Sequence, residues 1–308
     1  MDLPASVEIV EVGPRDGLQN EAANVPTPEK IALIEALTAA GLKRFEATSF
    51  VSPRAIPQLA DAEDVLAGLH PDDGLVYGGL IPNERGYERA KAAGVGEVVL
   101  VGAATESYCR KNLNRSVDEV LAGFAPIAAR GRKDGIHVRA NISTVFGDPF
   151  EGKPDLGQVL HVVSKVVEAG IDDVALSDTI GIANPRQVFD IFEAVGEAHP
   201  DVTFGAHFHD TRGLAAANTV AALETGITTF DASVGGLGGS PNAPGAGERG
   251  HRGPGLHAHG DGDRDRRGPR VAHGRRRSAR APRRPPAEHT DRAHASRRPG
   301  RRQVEGGG

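Results

Sequence analysis

Residues 202–225 read VTFGAHFHDTRGLAAANTVAALET. A β-rich run (202–209) ends in the reactive string His207, His209, Asp210, and after Gly213 the chain turns to a helical pattern near 213–225. In an extended run alternate side chains share a face, so His207 and His209 project the same way from the end of the strand. One strand, one helix and chemistry at the junction form the unit from which the rest of the chain can be read.

That unit recurs upstream. Strand-forming runs are expected at 7–13, 44–50, 75–81, 97–103, 137–143, 173–178, 202–209 and 229–234. Helical stretches are expected near 28–40, 56–69, 83–93, 115–131, 155–169, 185–198 and 213–225. Pro28 and Pro185 suit a first helical turn, with Thr27 and Asn184 as their N-caps. Strands alternating with helices give a parallel sheet, and eight is the closing number for a TM-sized cylinder, the (β/α)8 or TIM barrel. A doubly wound open sheet is the alternative. Against it, the loop after the first strand reads GPRDGLQNE and lacks the G-x-G-x-x-G of dinucleotide binding. Polar, reactive residues also gather at strand C-terminal ends, where barrels build their sites. No sequence after Gly239 suits an eighth helix.

Charge divides the chain. The net charge of -5 joins residues 1–247, with 19 Lys+Arg against 34 Asp+Glu (-15), to residues 248–308, with 17 against 7 (+10). All 17 basic residues of the second stretch are Arg, and its large aliphatic residues are Leu256, Val271 and Val304. So little apolar surface cannot offset the entropy of ordering, and this tail is expected to be disordered. A basic arm on nucleic acid is the functional alternative, but it would lack aromatic stacking platforms. Cys109 is the single cysteine, which fits a reducing cytoplasm and excludes an internal disulfide. No signal peptide or membrane-length apolar run is evident.

In a closed barrel, strands seven, eight and one are neighbours, so Asp16, at the end of strand one, can meet His207 and His209. Two imidazoles and a carboxylate suit an octahedral divalent ion, Mg2+ or Mn2+, better than a closed zinc site, which would want thiolates. Arg15 places a fixed cation beside them, useful where an oxygen gains negative charge, although an Arg–Asp surface pair would read the same way. Glu46 and Asp178 lie at or near strand ends, where each can act as a base or orient water, or serve only as a hydrogen-bond acceptor.

VEVGPRDGLQNE (10–21), FEATSFVSP (45–53), SDTIGIANP (177–185), AHFHDTRG (206–213) and SVGGLGGSPNAPGA (233–246) resemble the hydroxymethylglutaryl-CoA lyases. The R-D-G-x-Q and H-x-H elements are shared with the isopropylmalate and homocitrate synthases; GLQNE and ATSFVSP are particular to the lyases. The resemblance implies cleavage of a 3-hydroxyacyl-CoA to acetyl-CoA and a keto acid, within leucine degradation and ketone-body metabolism. It implies Asp16, His207 and His209 as metal ligands, with Arg15, Glu46 and Asp178 around the reacting centre. It also implies an acyl-CoA partner and a homodimer; the cysteine count, run lengths and tail composition above lead us to expect a cytoplasmic location with no membrane or nucleic-acid partner. A condensing synthase or an inactive barrel with a basic arm are the other readings.

The chain departs from that family in three places. Ser240 stands where the family carries a reactive cysteine, and a hydroxyl is a far weaker acid than a thiol. Thr144 and Asp148 likewise replace cysteines. The family continues after its glycine loop as G-N-V-A-T-E-D-L, whose Asn completes the metal shell, but here Glu248 begins ERGHRGPGLH. Codons permitted for 248–257, read one base later, spell Asn-Val-Ala-Thr-Glu-Asp-Leu-Val-Ser. Those permitted for 263–273 spell Ile-Glu-Thr-Gly-Val-Asp-Leu-Glu-Ser-Leu by the same shift. Residues 1–247 are therefore expected to be the catalytic barrel and 248–308 an out-of-frame product.

Overall fold

A computed structural model of the chain describes residues 3–70 and 74–239. Ser240, the place of an eighth helix, the boundary after residue 247 and the tail 248–308 lie outside the described residues. Eight parallel strands run β1 (Glu8–Glu11), β2 (Arg44–Ser49), β3 (Val76–Ile81), β4 (Glu97–Ala103), β5 (His137–Ser143), β6 (Asp173–Asp178), β7 (Thr203–Phe208) and β8 (Thr229–Ala232). Each pairs with the next, and β8 closes on β1 with Glu8 opposite Thr229 and Glu11 opposite Ala232. All eight fall inside the expected runs, and the open-sheet alternative is excluded by that closure.

The helices are α1 (Thr27–Ala39), α2 (Ala62–Ala67), α3 (Glu84–Ala92), α4 (Glu106–Tyr108), α5 (Val117–Ala122), α6 (Phe124–Asp134), α7 (Leu156–Glu168), α8 (Pro185–Ala198) and α9 (Ala215–Glu224). Helix α7 shows why they coat the barrel. Its Val159, Val162, Val163 and Val166 are buried at the i, i+3, i+4, i+7 spacing of one face. Asn184 caps α8 as expected, accepting from Gln187 N at 3.0 Å. Thr27 does not cap α1: Pro26 holds that position, and the Thr27 hydroxyl donates to Asp61 at 2.6 Å instead. The stretch 56–69 splits into a turn (Pro57–Leu59) and α2, and 115–131 divides at Gly123 into α5 and α6. Among the described residues no helix is long and apolar enough to cross a membrane.

The lower half of the barrel is filled with charge rather than aliphatic layers. Arg44 donates to Glu8 (2.8 Å), to Asp173 (2.5 Å) and to Glu97, and Arg139 donates to Asp173 (3.2 Å) and Asp231 (2.8 Å). Such ions are tolerable in the interior only because each faces an opposite charge. Gly205 on β7 supplies the room: a Cβ there would sit 2.8 Å from Arg139 Nη2.

Candidate active site at the barrel mouth

Strand β1 ends at Glu11, whose carboxylate accepts from Gly13 N (2.7 Å) and Val234 N (3.0 Å), tying the exit of β1 to the exit of β8. The chain then makes one wide helical turn, Gly13–Gly17, wholly buried, that turns Arg15 and Asp16 inward. Arg15 forks onto Glu46 of β2 (Nε to Oε1 2.6 Å, Nη2 to Oε2 3.0 Å), and its Nη1 donates to Asp16 Oδ1 at 2.7 Å. Burial opposes the charge on Asp16, but Arg15, His209 and His207 outweigh it and hold the carboxyl well below the ordinary carboxylate range.

The other oxygen, Asp16 Oδ2, lies 3.6 Å from His209 Nε2 and 3.9 Å from His207 Nε2, and the two Nε2 atoms are 3.2 Å apart. Each ring is fixed from behind. His207 Nδ1 faces Asp231 Oδ2 at 2.8 Å, and His209 Nδ1 faces the carbonyl of Thr179 at 2.7 Å. A carbonyl and a carboxylate accept only, so both Nδ1 atoms carry the hydrogen. Three electron-rich atoms therefore face one point, an arrangement that repels itself unless a cation or a proton stands between them. The donor set fits a divalent ion. Without one, a proton can take its place: burial lowers the His209 pKa, but Asp16, the Thr179 carbonyl and Asp178 together raise it by more, leaving it above its ordinary value.

A second cluster, Glu97, His137 and Asp173, also brings three ligand atoms within 4.8 Å of one another. It sits at strand starts, at the opposite end of the barrel, and Arg44 already bonds both of its carboxylates. The cationic position there is taken.

Arg15, Asp16, His207 and His209 thus meet at one mouth, lining a cavity of about 1030 Å3. Glu46 touches that centre through Arg15. Asp178 turns away: its oxygens accept from Ile182 N and Ala183 N, both at 2.9 Å, and it shapes the loop between β6 and α8. Sequence reasoning passed over Asp231, although TFDASV places it on the same strand face as the residues it supports. It also passed over Asn20, which donates to the carbonyls of Asp16 (3.0 Å) and Gly239 (2.6 Å) and so holds the glycine loop against the site. Arg85, Lys111 and Arg115 line the outer cavity. Arg85 opens helix α3, while Lys111 and Arg115 come from the segment between α4 and α5, and no local motif joins the two.

Residues 6–248 match the HMGL-like family model. The chain is 48% identical over 243 residues to the mitochondrial hydroxymethylglutaryl-CoA lyase of Bos taurus, covering 79% of this chain and 75% of that protein. It resembles the crystal structure of the Bacillus subtilis HMG-CoA lyase with a TM-score of 0.77 and 46% identity, covering 80% of this chain and 83% of that one. An HMG-CoA lyase from Acinetobacter baumannii, solved with coenzyme A and 3-methylmalate, aligns with a TM-score of 0.75 and 41% identity over 79% of each chain.

Proposed function

This chain belongs to the HMGL-like family of carbon–carbon lyases, and we propose that its barrel mouth cleaves 3-hydroxy-3-methylglutaryl-CoA to acetyl-CoA and acetoacetate. The observation that carries the reading is the convergence of Asp16, His207 and His209 on one point beside the Arg15–Glu46 fork.

The reaction removes the proton of the tertiary hydroxyl, makes that carbon a ketone, and breaks its bond to the carbon next to the thioester. The bonding pair moves toward the thioester oxygen, and a proton finally returns to carbon to give acetyl-CoA. Asp16, His207 and His209 would hold Mg2+ or Mn2+, which when bound supplies Lewis acidity toward substrate oxygens. Arg15, fixed by Glu46 and unable to lose its proton, supplies the permanent positive charge for the enolate oxygen. Asp178 acts indirectly in this scheme, by setting the loop that carries Thr179. In the sequence Ser240 stands where the resembled family carries its reactive cysteine, and a hydroxyl would be a weak donor for returning that proton.

Residues 1–247 are the catalytic domain, and we read 248–308 as translation out of frame. The family match ends at residue 248, where the composition turns to Arg, Gly and Pro. The missing in-frame segment carries the Asn expected as a further metal ligand, so the 308-residue chain should turn over poorly. The single cysteine, buried and unpaired, supports a reducing cytoplasm, with leucine degradation as the supplying route.

The test compares the 308-residue protein with a version restored to frame after residue 247. The restored protein should release acetoacetate from the substrate with Mg2+ or Mn2+ and stop on chelation. The 308-residue protein should retain a small fraction of that rate. Absence of cleavage by the restored protein would refute the assignment; equal rates would refute the frame reading.

A further inference from the structure

We propose that Asp231, oriented by Arg139, is a positioning residue that fixes the tautomer of His207 and thereby aims its Nε2 lone pair at the point shared with Asp16 and His209. The inference rests on the reading of those three residues as cation ligands, although its first readout does not.

Asp231 is buried near the end of β8, and its two oxygens are used differently. Oδ1 accepts from Arg139 Nη1 at 2.8 Å, and Oδ2 faces His207 Nδ1 at 2.8 Å. Arg139, 1% exposed on β5, also donates through Nε to Asp173 Oδ1 at 3.2 Å, so the guanidinium is held by carboxylates on two sides. A paired ion so deep adds little to stability compared with well-packed apolar side chains. Its presence is better explained by what the second oxygen does. Arg donates and never accepts, so Arg139 dictates that whatever lies on the Oδ1 side of residue 231 must be an acceptor. The carboxylate alone presents an acceptor on both sides, and His207 must answer with Nδ1–H.

The partner imidazole is held otherwise. His209 donates to the neutral carbonyl of Thr179, whose hydroxyl accepts from Thr144 N at 2.7 Å. Thr144 holds a left-handed backbone (φ 59) and shares a 2.7 Å hydroxyl contact with Thr105. One ligand is therefore backed by a negative charge and the other by a dipole. A carboxylate behind the ring makes the imidazole the stronger donor, so His207 is the tighter of the two ligands.

Asp231→Asn tests this. Arg139 would keep the amide oxygen on its own side and leave the amide NH2 facing His207, which forces Nδ1 to accept and puts the hydrogen on Nε2. The protein used is the metal-free 308-residue chain with 15N-labelled histidine, at a pH of about 8.5, above the imidazole range. Long-range 1H–15N correlation spectra read the tautomer, with the His207 signals identified by their loss in His207→Gln. Wild type should show Nδ1–H at His207, Asp231→Asn should show Nε2–H, and His209, held by the Thr179 carbonyl, should keep its Nδ1–H tautomer. Mn2+ affinity, measured with both proteins restored to frame after residue 247 and followed by the free-ion EPR signal, should fall about 10–100-fold in the variant. An Nε2–H tautomer in the wild type overturns the proposal even if the variant does not fold. So does a folded variant that keeps Nδ1–H or the wild-type affinity. Failure of the cation-site reading would appear separately, as a frame-restored wild type that binds no Mn2+ although His207 shows the Nδ1–H tautomer.

Discussion

Arg15 illustrates how one side chain can serve structure and chemistry together. Its fork satisfies both oxygens of Glu46 while the third nitrogen reaches Asp16, which only a planar guanidinium can do; an ammonium offers a single point. Arg15→Lys in the frame-restored chain should lower turnover by about 10²–10³-fold, with KM changed much less, as steady-state kinetics would show. At the other end of the barrel, His137 Nε2 lies 3.0 Å from Asp173. That contact raises the His137 pKa above its ordinary value of 6.5. For Asp173, burial is outweighed by His137 and the arginines, so its pKa is depressed below 3.8. A raised histidine stabilises the fold below its unfolded pKa and loses that contribution as pH rises through the folded one. A depressed aspartate stabilises above its unfolded pKa and loses it as pH falls through the folded one. Their shared window is about pH 4–6.5. His137 is half-exposed, so the pair contributes no more than about 1 kcal/mol. The difference in melting temperature between wild type and His137→Asn should peak near the middle of that window and close at alkaline pH; a gap constant with pH would contradict the assignment.

The elements that hold the site are short loops fixed by backbone contacts, and the loop from β6 to α8 is the tightest. Asp178 gathers its amides, Asn184 caps the helix that follows, and Thr179 presents its carbonyl to His209. Gly181 makes this possible. Its φ is 64°, and a Cβ there would lie 2.5 Å from Thr211 Oγ1 and 2.8 Å from the His209 carbonyl. Gly181→Ala should cost about 1–3 kcal/mol by denaturant unfolding. It should also weaken Mn2+ binding, because the clash pushes on the backbone of His209 itself; unchanged affinity would show that the loop does not set that ring. Strand and helix order was readable because alternation and 3.6-residue periodicity are local properties of the chain. The division of 115–131 at Gly123, and the engagement of Thr27 by Asp61 instead of its own helix, were not. Both depend on what packs alongside, since propensity yields to tertiary contacts.

Across the whole molecule, closure of β8 onto β1 turns eight separate strand ends into one mouth. The ends of β1 and β7 are nearly 200 positions apart in the chain, yet Asp16 reaches both imidazoles there. The same closure stacks Arg44, Glu97, Arg139 and Asp173 into a charged floor whose carboxylates and guanidiniums would be unaffordable singly in an apolar interior.

The order of strands and helices, the family likeness, and the candidate trio of Asp16, His207 and His209 were all set by sequence alone, because side-chain alternation and motif spacing are written in neighbouring residues. Which carboxylate backs which ring, that Asp178 faces its own loop, and that the Glu97–His137–Asp173 cluster already holds a guanidinium were decided by the tertiary structure. Those facts concern groups brought together by barrel closure, and the hydrogen bonds and charges that fix them act through space rather than along the chain.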